Sequence, residues 1–207
     1  LEHFENSDGL GAIFPPMIYT VIALKCLGYD PDSPSVQWAW RQLDDLRIDE
    51  AKTTRLQPCV SPVWDTAIAT IAISDASNPD DEPAIARAVD WLLDKEIRVA
   101  GDWRDRGPKN VEPSGWHFQY RNEFYPDIDD TAMVLMALLR SPNAGEAKVR
   151  DAVRRGTDWL LAVQNRDGGW AAFDPNIDNE VLTKIPFADH NAMLDPSCAD
   201  ITARVIE

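Results

Sequence analysis

The chain has only three cysteines, Cys26, Cys59 and Cys198, and no two of them stand at CxxC spacing. That argues against a disulfide framework and a cysteine zinc site, and suits a reducing compartment. Histidine is as scarce. His3, His117 and His190 lie far apart with no HExxH or His-rich tract, so no metal is expected. Basic residues are few: 20 Lys and Arg against 35 Asp and Glu leave a net charge of −15. This speaks against nucleic acid as a partner, and against attachment to an anionic membrane by charge alone. The sequence has no GxGxxG, no Walker loop, no GxSxG and no Ser-His-Asp grouping. The longest apolar runs, Met17–Leu24 and Ala132–Leu139, are eight residues each, against the roughly 20 a membrane span needs.

What is present describes a folded chain. Its 207 residues are 44% hydrophobic and 27% charged, enough to bury a substantial core. It begins at Leu1 rather than Met and stops at Glu207 inside an apolar run with no stop signal. The expectation is a piece of a longer protein.

The helical patterns are of two kinds. Residues 84–96 place Ile85, Ala88, Val89 and Leu92 on one stripe, and residues 146–163 do the same with Val149, Ala152, Val153, Gly156, Leu160 and Val163. Both read as one-sided outer helices. Ala132–Leu139, Ala67–Ile73 and Met17–Leu24 are apolar all round and read as helices buried on every side. Such alternation predicts an all-α fold, a ring of inner helices wrapped by outer ones.

A repeat supports that ring. Ser61-Pro62-Val63-Trp64-Asp65-Thr66-Ala67 returns as Tyr125-Pro126-Asp127-Ile128-Asp129-Asp130-Thr131-Ala132, and again as Asp195-Pro196-Ser197-Cys198-Ala199-Asp200-Ile201-Thr202-Ala203. Asp65, Asp130 and Asp200 are then 65 and 70 residues apart. The outer helices repeat too: Val89-Asp90-Trp91-Leu92-Leu93 answers Thr157-Asp158-Trp159-Leu160-Leu161 at a distance of 68. Helix pairs repeating in this way are expected to close into an (α/α) barrel. The connections 98–126 and 165–199 are long and rich in aromatics, and connections of that length are usually functional.

The chemistry lies in Asp127-Ile128-Asp129-Asp130-Thr131, three carboxylates in four residues at the head of an apolar helix. Like charges this close do not all stay ionised, so a retained proton is expected near neutral pH. Ordinary N-capping, worth ~0.5–2 kcal/mol, explains one carboxylate, and Asp65 and Asp200 in the sister repeats point to one such cap. Two remain, and the residues by themselves leave an acid catalyst and a capped helix both open. The aromatics Trp64, Trp116, Phe118, Tyr120, Phe124, Tyr125, Trp170 and Phe173 gather around these repeats. Singly each suits a core. Together their faces suit a pocket that stabilises a cation without trapping it.

Asp127-Ile128-Asp129-Asp130-Thr131-Ala132 resembles the DxDDTA signature of the squalene–hopene cyclases. Gln164-x-x-x-Gly168-x-Trp170 is similar to their QxxxGxW repeat, and Ser61–Thr66, Ile185-Pro186-Phe187 and Asp200-Ile201-Thr202-Ala203 look like further landmarks. The resemblance implies two α/α barrels, with residues 1–58 ending the first and 59–207 starting the second. It implies a triterpene cyclase that converts squalene to hopene or hopanol without a cofactor or metal. The enzyme would sit peripherally on the cytoplasmic side of a bacterial cytoplasmic membrane, with a homodimer as a further expectation. Asp129 would donate the proton, supported by Asp127 and Asp130, with Asp200 in the same hydrogen-bonded set. Trp64, Phe118 and Phe173 fall where the family has cavity aromatics, and Ile13 where it has a cavity aliphatic. Arg204 stands where members often have His, and Phe173 where they often have Tyr. A fixed cation at Arg204 would stabilise the conjugate carboxylate without titrating. In Gln164…Trp170, the amide is expected to satisfy helix-end groups while the indole packs on the connection. The alternatives are a class II diterpene-type DxDD cyclase and a non-catalytic α/α-barrel binding domain.

Overall fold

The computed structural model describes residues 7–101, 103–122, 124–184 and 193–207; Ile185-Pro186-Phe187, His3 and His190 lie outside them. The chain divides into two compact units.

The first unit is Leu1–Pro62 with Phe118–Asn122. Helix α1, Phe14–Cys26, opens on Pro15 and Pro16, where a missing N–H costs nothing. Helix α2 is Pro34–Asp45. Met17, Val21 and Leu24 of α1 pack on Val36, Ala39 and Leu43 of α2. A short antiparallel hairpin follows, β1 (Arg47–Asp49) against β2 (Thr54–Leu56). The segment 118–122 joins this unit through a bridge from Asn122 to Ser7 and a 2.6 Å bond from the Arg121 N–H to the Asp8 carboxylate.

The second unit is Val63–His117 with Glu123–Glu207. It holds α3 (Pro62–Ala76, from Val63 on), α4 (Glu82–Asp94), α5 (Trp103–Arg106), α6 (Ile128–Arg140), α7 (Ala147–Ala162) and α8 (Ala199–Ile206). The helix expected over 84–96 starts two residues early, because Pro83 fits its first turn. α4 and α7 are one-sided as expected: Ile85, Val89 and Leu92 are buried on one, Val149, Ala152 and Trp159 on the other. Both pack on α6, which also meets α8. Gly156 lets α7 approach closely, since a Cβ there would lie 2.9 Å from Leu135 and 3.1 Å from Trp116.

Burial on every side holds for α6 and not for the other two apolar helices. On α6 nearly all residues from Ile128 to Leu138 are buried. On α1 Tyr19 and Ile22 are exposed, and on α3 Ile68 and Ile73. Burial on α1 is confined to Met17, Thr20, Val21 and Leu24, and on α3 to Val63, Ala67 and Thr70. No helix among the described residues is long and apolar enough to cross a membrane.

Candidate active site

The acidic motif is fixed by its first residue. Asp127 is the N-cap of α6, in extended conformation, and its Oδ1 accepts the Asp130 backbone N–H at 2.7 Å. The turn is anchored from both sides. Asp127 N–H donates to the Trp116 carbonyl and Ile128 N–H to the Ala172 carbonyl, each at 2.9 Å. Thr131 closes the arrangement: its Oγ1 donates to the Asp127 carbonyl at 2.6 Å and accepts the Trp116 N–H at 2.9 Å.

Helical spacing then sorts the three carboxylates. Residues three apart share a face, so Asp127 and Asp130 turn inward together, 7% and 4% exposed, while Asp129 keeps 31% of its side chain open. Burial pushes Asp127 well above the usual carboxylate range, with the Asp130 charge adding to it. Burial likewise raises Asp130 to about 6, against a lowering hydrogen bond from Asp127. Asp130 Oδ1 is buried with no hydrogen-bond partner among the described residues. The expected retained proton thus belongs to this inner pair.

Asp129 has a different partner. Arg204 of α8 forms an ion pair with it, Nη1 to Oδ1. The guanidinium carbon of Arg204 lies 5.4 Å from the ring centre of Trp64 on α3, so three helices meet at one cation. Asp200 is exposed in the first turn of α8, one turn ahead of Arg204.

Two sequence expectations need correction here. Asp65 and Asp200 do not mark the capping position, for both lie inside the first turn of their helices; the N-cap of α8 is Cys198. The bonds also set a different register for the last repeat. Cys198 N–H donates to the Trp170 carbonyl at 2.8 Å as Asp127 N–H does to Trp116, and Thr202 Oγ1 accepts the Trp170 N–H at 3.0 Å as Thr131 does that of Trp116. Cys198 therefore matches Asp127, and Asp200 matches Asp129 rather than Asp130.

Of the expected aromatics, Trp64 stacks on Arg204, and Phe173 meets Tyr125 edge-on at 6.0 Å. Phe173 is 49% exposed, at a cavity of about 460 Å³ lined also by Tyr125, Ile177, Met193 and Asp195. Asp195 holds this loop: its carboxylate accepts the N–H groups of Ala172, Phe173 and Asp174 at 2.7–2.9 Å. Asp174 in turn accepts the Tyr125 hydroxyl at 2.6 Å. The sequence reading missed Asp195 and Tyr125 as a pair of supports, although Asp195 opens the third repeat as Tyr125 opens the second. Phe118 is half-buried and Ile13 is 39% exposed, both in the first unit.

The Gln164…Trp170 motif works the other way round from the expectation. The Trp170 indole donates to the Leu160 carbonyl at the end of α7 at 2.7 Å, whereas the Gln164 amide donates to Gly168 within its own turn at 2.8 Å. Trp116 does the same for α4, at 2.6 Å from the Leu92 carbonyl. An indole N–H is a single rigid donor and suits a buried carbonyl at a helix end.

Residues 60–207 match the family model of the squalene-hopene cyclase C-terminal domain, and residues 1–52 that of the N-terminal domain. The chain belongs to the squalene-hopene cyclase family. Over 207 residues it is 44% identical to the squalene-hopene cyclase of Schizosaccharomyces japonicus, covering 96% of this chain and 31% of the relative. Identity to the Bradyrhizobium diazoefficiens squalene-hopene cyclase is 42%, covering 99% and 31%. The dammaradiene synthase of Dryopteris crassirhizoma is 40% identical, covering 100% and 30%. The chain thus spans about a third of the length of the curated relatives it matches. Family membership stands as read from the DxDDTA and QxxxGxW motifs, and the all-α class as read from the helical patterns and their repeat.

Proposed function

We propose that the chain is part of a triterpene cyclase that closes squalene into hopene or hopanol, with Asp129 as the proton donor. The reading is carried by one arrangement: a partly open carboxyl, Asp129, faces a cation that cannot titrate, Arg204, while two buried carboxyls stand behind it. Asp129 acts in its protonated form: that proton passes to one carbon of the terminal alkene, and the positive charge forms on the other. Arg204 stabilises the carboxylate left behind. The next alkene supplies its π electrons to the cation, and the sequence repeats until a proton is lost or water is captured. Trp64, Phe118 and Phe173 supply aromatic faces, and Ile13 an aliphatic wall. No step calls for a cofactor or metal.

The same reading makes residues 1–58 the end of one α/α barrel and 59–207 the start of another, and it takes squalene from a membrane. The cytoplasmic face of a bacterial membrane and a homodimer belong with it. The names of the relatives and the DxDDTA match support it. The net charge of −15 speaks against a diphosphate substrate, which calls for basic residues, and the names of the relatives do not favour a binding domain without catalysis.

The test is gas chromatography–mass spectrometry of squalene incubated with the complete protein and with its Asp129→Asn variant. Pentacyclic product from the first and none from the second is expected. Product from both removes Asp129 as the acid. None from a folded parent removes squalene as the substrate.

A further inference from the structure

We propose that Trp64 is a positioning residue that holds the Arg204 guanidinium against Asp129. The inference deepens, and rests on, the reading of Asp129 as proton donor. Trp64 lies half-buried in the first turn of α3, Arg204 near the end of α8, and Asp129 in the first turn of α6. The Arg204 guanidinium spans all three, with its head on the carboxylate and its carbon 5.4 Å from the indole centre. An arginine side chain this long has many rotamers, and a ring face removes most of them. The indole face under Arg204 is occupied, so that face acts on the reaction through the cation rather than by direct contact with a carbocation.

The charges around Asp129 leave this role to Arg204. On α6 itself stand Asp127 and Asp130, both acidic, and Arg140 at the far end pairs with Asp75 and Glu207. α8 brings Asp200 beside Arg204, and α3 brings Asp65 next to Trp64. The connection before α8 brings Asp174 and Asp195, which accept the Tyr125 hydroxyl and three backbone N–H groups. Arg155 of α7 is held by Glu96, just after α4, through two bonds of 2.6 and 2.9 Å. Among the described residues Arg204 is the cation in contact with Asp129.

A cation fixed on Asp129 favours its carboxylate, so the protonated donor is confined to lower pH. Loosening Arg204 moves the alkaline limb of the rate profile upward while making the acid weaker. The experiment is kcat against pH for the complete protein, with squalene, in Trp64→Leu, Trp64→Phe and Arg204→Gln. Trp64→Leu is expected to raise the limb by about half a pH unit and lower kcat about threefold. Trp64→Phe keeps a weaker ring face and moves the limb the same way by less. In an Arg204→Gln background the Trp64→Leu change produces no further movement. A limb unmoved by Trp64→Leu, or moved equally in the Arg204→Gln background, overturns the proposal. If Trp64→Leu does not fold, Trp64→Phe decides: an upward shift supports, and an unmoved limb refutes. Asp129→Asn, run beside these, separates the two failures. Lost product there with an unmoved limb in Trp64→Leu sinks the positioning role alone, whereas retained product sinks the acid and this inference with it.

Discussion

Asp127 accepts the backbone N–H of Asp130 at 2.7 Å, while the Oδ1 of Asp130 is buried with no hydrogen-bond partner among the described residues. The inner pair is therefore asymmetric. One carboxyl caps a helix, and the other keeps one of its oxygens dry.

That dryness has a signed consequence for stability. Asp130 titrates at about 6 in the folded chain, against 3.8 for an ordinary aspartate. Between these values the native state holds a proton that the unfolded chain has released, so stability falls as pH rises and is lower above about 6 by on the order of 3 kcal/mol. Asp130→Asn removes this dependence. In urea denaturation of the complete protein, variant and parent should agree near pH 4 and the variant should be the more stable near pH 7.5. Equal stability at the higher pH would show that Asp130 is not buried as described.

Gly115 adopts φ +112, and a Cβ there would lie 2.8 Å from Pro126 and 3.1 Å from Thr131 Oγ1, the atom that accepts the Trp116 N–H. Gly115→Ala combines backbone strain with a clash at this bond. A loss of about 2 kcal/mol or more is expected in denaturant titrations. An unchanged midpoint counts against the turn.

Asp195→Asn leaves one acceptor oxygen where three backbone N–H groups converge, and turns an amide N–H toward donors. We expect a loss of about 1–3 kcal/mol. Because the bonds hold Phe173, the variant should also alter the ratio of products by gas chromatography. Loss of stability with an identical product profile would separate Phe173 from the reaction.

The 207 residues expressed alone should give no cyclised squalene, since Asp129 keeps 31% exposure and Tyr19, Leu139, Leu161 and Ile206 stand 58–72% exposed. Dye binding to these apolar faces and a broad thermal transition are expected with it. A sharp melt with turnover would overturn this.

The class of fold and the acidic motif were legible because both are written in local spacing. One-sided stripes marked α4 and α7, and the i, i+3 interval of Asp127 and Asp130 already separates them from Asp129. What escaped depends on bonds between distant segments. Pairing each repeat's nearest Asp before Thr-Ala gave Asp200 the wrong counterpart, because Ile201 intervenes and the Trp170 bonds match Thr202 to Thr131. The roles of Gln164 and Trp170 were exchanged, since sequence does not tell which donor reaches a helix end 10 residues away. Asp195 serves a loop 21–23 residues upstream, a partnership no local pattern announces.

The indole of Trp116 fastens the end of α4, and its backbone fastens the start of α6 through Thr131 and Asp127. Trp170 does likewise for α7 and α8. The helices are thus stitched in series, each knot shared by the outgoing and incoming helix. The turn of the acidic motif takes its stiffness from the helix α4 before it, so slackening at Leu92 reaches Asp127 through a single tryptophan. Amide exchange at Asp127 should then keep pace with that at Trp116.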